Sequence, residues 1–435
     1  MTTEKCSTDE ILLQNAWNKI DINGEYITED GRSLRIFSPG TWNVEAGPDF
    51  TNAKISIDGR ILTGDVEVHG NSSDWFNHRH DRDSAYDNVI LHVVEHEDLP
   101  SGKRELLPPA LLIKPAGVET DDEKIISGRC AGYFANLEEC QIRSMLTAAG
   151  MERFYLKSGR ILRQMLLSGT EQTCLRLMFE AAGYKRNREC FLELFNRFRE
   201  YPPDIRKECF EAILWGESGL LPDPAVAVLS EEMRCFTENT WRLWWKIRIG
   251  SRHGIDWRRD GGRPVNSPER RIAALVSLYR TFGETPLRTL YVHISSIANQ
   301  EEAGRELVKL LTLHDILWDK YTSFELAKKP GPGAVFGAAS ALETVVNVVL
   351  PGMAAAAKID GRADDIRAAA IWNVLPSTQD NRITRVAAAR WFRDKAAANQ
   401  VMTGAAVRQG VIHLFQEFCD KCHTDCNSCL IYNSI

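Results

Sequence analysis

Ala53-Lys54-Ile55-Ser56-Ile57, the dipeptide Asp58-Gly59 and the run from Arg60 to Val68 specify a β-hairpin. Asp-Gly accepts the positive φ angles of a two-residue turn, and apolar residues alternate with polar ones on both sides of it. A lone two-stranded ribbon is marginal in water, so this hairpin must join a larger sheet. Val89-Ile90-Leu91-His92-Val93-Val94 is an almost continuous apolar run, as expected of a strand covered on both faces. Ser33 to Phe37 alternates as well, and Leu111-Leu112-Ile113 is expected to add an edge strand. Residues 8–20 read as a short helix. Ser7 or Thr8 can cap it, Glu10 lies in its first turn, and Ile11, Leu12, Trp17 and Ile20 form its apolar face.

From about residue 126 the periodicity changes from two to 3.6. Helices are expected over 137–149, 151–168, 172–182, 189–200, 205–215, 239–249, 268–281, 301–320 and 384–397, with no fixed-period repeat. At 435 residues the chain exceeds one compact core. The expected division is an α/β domain over 1–125, a large mainly α-helical domain over 126–410 and a Cys-rich C-terminal tail over 411–435. The net charge of -6 requires any nucleic-acid site to be a local patch. Ala334 to Ala357 is the longest apolar run. It contains Glu343, Asn347 and Pro351-Gly352 and reads as buried helix, not as a membrane span. Of 11 cysteines, Cys6, Cys130, Cys140, Cys174, Cys190, Cys209 and Cys235 are scattered. The odd total, with no signal-like N-terminus, points to a reducing, cytoplasmic setting. There is no phosphate loop, dinucleotide fingerprint, G-x-S-x-G or H-E-x-x-H, so no nucleotide cofactor is expected.

Chemistry concentrates around the hairpin. Gly47-Pro48-Asp49-Phe50 precedes it, and Gly64-Asp65-Val66-Glu67-Val68-His69 ends it. Alternation puts Asp65, Glu67 and His69 on one face and Val66 and Val68 in the core. The hairpin can bring Asp49 beside Glu67. Two such carboxylates can bind Mg²⁺ or Mn²⁺, neutralise a phosphate and lower the pKa of a bound water. Imidazole at His69 can act as base or ligand. The plain alternative is a solvated sheet face. Half of the 10 histidines (His69, His78, His80, His92, His96) follow closely. His78 and His80 would share a face in an extended segment. With His69 and Asp74 or Asp83 they can build a zinc or manganese site, or they belong to a polar loop. His92, inside an apolar strand, reads as a core histidine.

The pattern Pro48-Asp49, then Glu67-Val68-His69 after one strand-turn-strand, resembles the PD-(D/E)XK nuclease core. There, two carboxylates on adjacent strands hold a divalent cation over a phosphodiester. The resemblance implies a restriction-endonuclease-like fold, metal ligands at Asp49 and Glu67, and His69 in place of the usual lysine, orienting or deprotonating water. Glu10 would take the place of the acid on the first helix. The wider set, adding Ser73-Asp74-Trp75, His78-Arg79-His80, Tyr86 to Val94, Leu214-Trp215-Gly216 and Arg263-Pro264-Val265-Asn266, resembles an uncharacterised bacterial family of unknown function. It brings no activity with it.

Two further clusters stand apart. Between Trp241 and Arg271, nine Lys/Arg face three acids, and Trp241, Trp244, Trp245 and Trp257 are interleaved. Arg242, Lys246, Arg258, Arg259 and Arg263 are candidates for phosphate contacts with DNA or RNA, with indoles for stacking; the alternative is an apolar helix face with solvated cations. A second basic group, Arg382, Arg385, Arg390, Arg393 and Lys395, reads as a solvated or packing face. Cys419, Cys422, Cys426 and Cys429 form C-x2-C-x3-C-x2-C, suited to Zn²⁺ or a [4Fe–4S] cluster; a reactive tail is the alternative. The expected function is a metal-dependent phosphodiesterase or nuclease. The alternatives are a non-catalytic nucleic-acid-binding or scaffold protein on a degenerate nuclease core, and a His/carboxylate metallohydrolase of a small molecule. Geometry separates them. The nuclease needs both carboxylates on one ion, the metallohydrolase needs His78 or His80 beside His69, and the scaffold needs neither.

Overall fold

The computed structural model describes residues 10–22, 24–43, 47–104, 107–113, 130–184, 186–250, 253–259, 266–324, 333–392, 395–420 and 429. The chain forms two compact units. One comprises residues 1–150, 379–403 and 407–435, the other 151–378 and 404–406. An N-terminal mixed sheet is followed by a mostly helical region. The compact units divide elsewhere than the change in periodicity, because the sheet unit takes in the first helical residues and recruits helices from the end of the chain.

Among the described residues the sheet has seven strands: β1 Glu25–Ile27, β2 Ser33–Ser38, β3 Thr41–Trp42, β4 Phe50–Ile57, β5 Arg60–Asn71, β6 Val89–His96 and β7 Ala110–Leu112. Their order is β1-β2-β4-β5-β6-β7, with β3 also on β4. β4 and β5 are the expected hairpin. Asp58 and Gly59 take φ of 49° and 82°, the positive angles that match the twist of the strands, and Ile57 pairs with Arg60. The Asp58 side chain also accepts the Ser33 amide at 2.9 Å, fixing the next strand in register.

β5 runs antiparallel to β4 but parallel to β6, and β7 continues parallel at the edge. A parallel pair needs a crossover. Here it is the 72–88 segment, with helix Asp74–Asn77 and two single turns. Val66, Val68, Leu91 and Val93 are fully buried under this sheet. The first helix, Glu10–Asn18, lays Leu13 and Trp17 against it, and the Trp17 indole donates to the Pro39 carbonyl at 3.0 Å. Helix Arg382–Trp391 packs on this first helix and on helix Cys130–Phe134.

In the second unit, helices such as Thr170–Ala182, Arg188–Glu200, Pro203–Ser218, Glu231–Ile247 and Pro268–Phe282 enclose one apolar core. Ala338–Ile359 is long and apolar enough to cross a membrane, yet 72% of its apolar window is buried in the structure. The expected helix 301–320 stops at Leu311. Beyond it the Asp319 carboxylate takes the amides of Asp315 and Val335, and Leu313 pairs with Phe336. Side-chain acceptors there outcompete continued helix. Likewise 384–397 resolves into Arg382–Trp391 and Lys395–Val401.

Gly216, in helix Pro203–Ser218, lies directly under the Trp244 ring. A β-carbon there would fall 2.1 Å from Trp244 Cδ1. Gly216→Ala should therefore cost about 2–3 kcal/mol of unfolding free energy through overpacking. The check is the denaturant midpoint at unchanged m-value. A loss under about 0.5 kcal/mol, the size of a neutral surface change, would mean the indole has room to move.

Candidate metal centre

Asp49 precedes β4 and Glu67 lies on β5, and the hairpin brings them together with both side chains buried. The contact is not carboxylate to carboxylate. The Asp49 amide donates to Glu67 Oε2 at 2.9 Å, while Asp49 Oδ2 accepts the Val68 amide at 3.1 Å. Asp49 Oδ1 is taken by the half-buried Arg382 guanidinium in an ion pair, and Gln14 of the first helix also bonds this carboxylate. Asp49 is thus fully engaged as a support that holds Glu67 by the backbone. Asp65, expected on the same face, is half-exposed just before an irregularity in the β5–β6 register and accepts the Asn52 amide and the Asn88 side chain.

The other oxygen of Glu67 faces histidines. Glu67 Oε1 lies 3.4 Å from His69 Nε2 and 3.3 Å from His80 Nε2. His78 Nδ1 lies 3.2 Å from His69 Nε2. Ligand atoms of His69, His78 and His80 all fall within 4.8 Å of one another. His78 and His80 do not meet His69 by sharing the face of an extended strand. They flank Arg79, whose φ of 63° and ψ of 34° lie in the left-handed region disfavoured for residues with a β-carbon. This one residue turns both rings towards His69, at centroid separations of 5.0 and 5.2 Å. Asp74 and Asp83 act locally. Asp74 accepts from the Asn71 amide and the Asn77 side chain, and Asp83 caps Ala85.

His92, paired with Glu67 across the β5–β6 ladder, is fully buried and places Nε2 2.9 Å from His69 Nδ1. A proton on His69 Nδ1 donated to His92 leaves His69 Nε2 as a bare lone pair facing the other rings. His80 is stacked on Tyr86 at 3.7 Å and walled by Trp75. Its Nε2 is buried without a hydrogen bond, as is Nδ1 of His92. Buried polar atoms are rarely left unpaired.

The electrostatics follow from burial. Burial, then the charges of His92, His80 and His78, hold His69 well below its ordinary pKa. Burial and His78 lower His80 to about 4, and burial and His80 lower His92 to about 3. Burial and the Asp49 charge push Glu67 well above the carboxylate range, with Glu10 adding to the effect. Burial also raises Asp49, against the opposing pull of Arg382, the Val68 amide and Gln14. Neutral imidazoles and a carboxylate in need of positive charge are the donor set that suits a divalent cation.

No curated protein and no solved structure matches the chain. Residues 10–381 match the family described as "Protein of unknown function (DUF2851)". The chain belongs to that family. The match runs from the first described residue of helix Glu10–Asn18 to the edge of helix Arg382–Trp391.

The basic segment lies in the helical unit. Arg242 and Lys246 are exposed on helix Glu231–Ile247, and Arg258 and Arg259 are exposed beyond it, with Arg259 paired to Glu269 at 2.9 Å. Arg263 lies outside the described residues. Trp241 and Trp257 pack against the core, and the Trp257 indole donates to the Ser218 carbonyl. Trp245 is exposed, with Arg248 over its ring at 3.7 Å. Of the C-terminal cysteines, Cys419 and Cys429 are buried, and Cys422 and Cys426 lie outside the described residues. Sequence reasoning missed Arg382 and Gln14. Both sit at helical positions where a polar residue reads as a solvated face, and no local signal separates Arg382 from exposed Arg385.

Because Arg382 neutralises a buried carboxylate, Arg382→Met should destabilise the protein by about 3 kcal/mol at neutral pH. Asp49→Asn in the same background should recover part of that loss. Strict additivity of the two substitutions in a double-mutant cycle would show that the pair does not interact.

Proposed function

We propose that this protein is a divalent-metal-dependent hydrolase in which His69, His78 and His80 hold the ion and Glu67 serves as the base. The observation that supports it most strongly is that ligand atoms of His69, His78 and His80 lie within 4.8 Å of one another, with His78 Nδ1 3.2 Å from His69 Nε2 and Glu67 Oε1 3.4 and 3.3 Å from His69 and His80 Nε2. A tetrahedron with ligand bonds of about 2.0–2.1 Å has edges of about 3.3 Å. A bound ion would supply Lewis acidity and lower the pKa of water. Zinc or manganese suits imidazole donors better than magnesium.

The chain's own residues supply the rest. Glu67 Oε1, beside the His69 and His80 nitrogens, would take the proton of the attacking water, while Oε2 stays fixed by the Asp49 amide. Asp49 is a positioning residue, locked by Arg382 and Val68. His92 orients His69. Trp75 and Tyr86 hold the His80 ring, and the exposed side of His78 is the open approach.

Phosphodiesters of nucleic acid are the substrate class we favour. Support comes from an acid just before one strand and an acid on the next, in a mixed sheet with a helix against it, close to the arrangement that the PD-(D/E)XK resemblance implies. Exposed Arg242 and Lys246 share helix Glu231–Ile247 with exposed Trp245, cations and an open indole that suit a single strand of DNA or RNA. The nuclease reading with Mg²⁺ or Mn²⁺ between two carboxylates gains less support, because the Asp49 carboxylate is already taken by Arg382. The histidine-rich donor set favours, as a second reading, hydrolysis of a small molecule at the same centre.

Chelator-stripped protein reloaded with Zn²⁺ or Mn²⁺ should bind one ion here and cleave single-stranded DNA or RNA. Glu67→Gln should keep the ion and lose turnover by about 10²–10⁴-fold, whereas His69→Ala should lose both. Retention of the ion by His69→Ala rejects the centre. Turnover of carboxylic esters with none of phosphodiesters selects the small-molecule reading.

A further inference from the structure

In the helical unit, Arg271 is a buried cation with no matching acid. It stands in the first turns of helix Pro268–Phe282 and is 6% exposed. Its Nη2 donates to the Tyr184 hydroxyl and to Asn266 Oδ1, and its Nη1 lies 3.4 Å from Ser340 Oγ. Its Nε is buried without a hydrogen bond. Among the described residues, these side-chain partners are all uncharged and no carboxylate pairs with it. Burial lowers its pKa, and the Tyr184 side chain opposes that shift. Other buried arginines are better matched. Arg206 pairs with Glu284, and Arg270 donates to the carbonyls of Trp318, Tyr321, Gly333 and Ala334. A guanidinium taken out of water without a counter-charge is strongly unfavourable.

Tyr184 covers this guanidinium. Its ring centroid lies 4.3 Å from Arg271 Cζ, and the residue is itself 49% exposed. Asn266 is exposed and Ser340 is half-buried, so the guanidinium lies one side chain below the surface. Tyr184 takes a φ of 48°, in the left-handed region disfavoured for residues with a β-carbon. The turn that holds it there is closed by the Asn187 amide on the Gly183 carbonyl at 3.0 Å. The Asn187 side chain then bonds both the amide and the carbonyl of Arg258 at 2.9 Å. The backbone beneath Tyr184 is thus tied to the basic segment, and rotation of the side chain alone lifts the ring away.

We propose that Arg271, Asn266 and Ser340 form an oxyanion site for a phosphate group, and that Tyr184 is the cover this phosphate displaces. Arginine's fork of Nε and Nη matches two phosphate oxygens at once. The Ser340 hydroxyl and the Asn266 amide nitrogen supply donors for the remaining oxygens, more than the two oxygens of a carboxylate can use. The nearby start of helix Pro268–Phe282 adds positive potential. Either free phosphate or a phosphodiester of a nucleic-acid strand offers this chemistry. The site lies in the helical unit and does not rest on the histidine centre.

The test uses full-length, chelator-stripped protein, so that neither bound metal nor hydrolysis contributes. Inorganic phosphate and a short oligothymidylate are titrated by calorimetry against chloride of equal ionic strength. Tyr184→Ala, which removes the cover, should bind phosphate about tenfold more tightly than the parent. Arg271→Gln should weaken binding by more than about tenfold. Undiminished affinity in Arg271→Gln, or no binding of either probe to Tyr184→Ala, overturns the proposal. Because Arg271→Gln can fail to fold, Tyr184→Ala protein with Arg271 intact is also labelled with phenylglyoxal, and the adducts are mapped by peptide mass. A bound probe should slow labelling of Arg271 by about tenfold or more while exposed Arg305 reacts unchanged. Protection by inorganic phosphate alone shows that free phosphate suffices, and protection by the oligothymidylate alone assigns the site to a strand. Equal labelling of Arg271 with and without either probe rejects the site.

Discussion

The Arg382–Asp49 ion pair is the constraint from which the rest of the centre follows. A carboxylate with almost no exposure survives there because a guanidinium, a backbone amide and Gln14 all satisfy it. Held in this way, Asp49 offers its own amide to Glu67 and fixes one oxygen of that side chain. The second oxygen is left facing the imidazoles. Removing water from so many polar groups is costly, and each finds either a partner on a rigid strand or helix or a reason to bind a cation.

The histidines gather at that oxygen by two routes. His69 is carried by β5 and steered by its neighbour on β6, whereas His78 and His80 arrive on the crossover between those strands. Arg79 pays the local conformational cost, in a left-handed backbone held by the turn around it. A left-handed Arg79, ring nitrogens of His80 and His92 without a hydrogen bond, and a carboxylate shifted well above its ordinary range all occur within one small volume. A divalent ion held by these groups, as proposed above, would offset their electrostatic costs together.

In the helical unit, one stretch of sequence holds two kinds of residue. Trp244 rests on Gly216 and Trp257 is tied to Ser218, so these indoles are part of the packing. Arg242, Lys246 and Trp245 face solvent. The basic character of the segment is therefore a property of its surface, and its aromatic character mostly a property of its core. The buried Arg270 makes the same point. It donates to the carbonyls of Trp318, Tyr321, Gly333 and Ala334 and acts as a structural bracket.

The sequence by itself determined the local elements: the Asp58-Gly59 turn, the alternating strands on either side of it, the apolar β6 and the helical texture that follows. These are written in nearest-neighbour chemistry, where turn angles and side-chain period decide the outcome. It also placed Asp49, Glu67, His69, His78 and His80 close together, since the hairpin and the crossover are short. Only the tertiary structure decided which atoms meet. Arg382, more than 300 positions from Asp49, reads locally as one cation among several on a helix, and its partner depends on how that helix docks. The same holds for the division of the chain into units. Long-range burial selects among side chains that look alike in sequence, because the penalty for an unpaired buried charge depends on a neighbour that only the folded chain supplies.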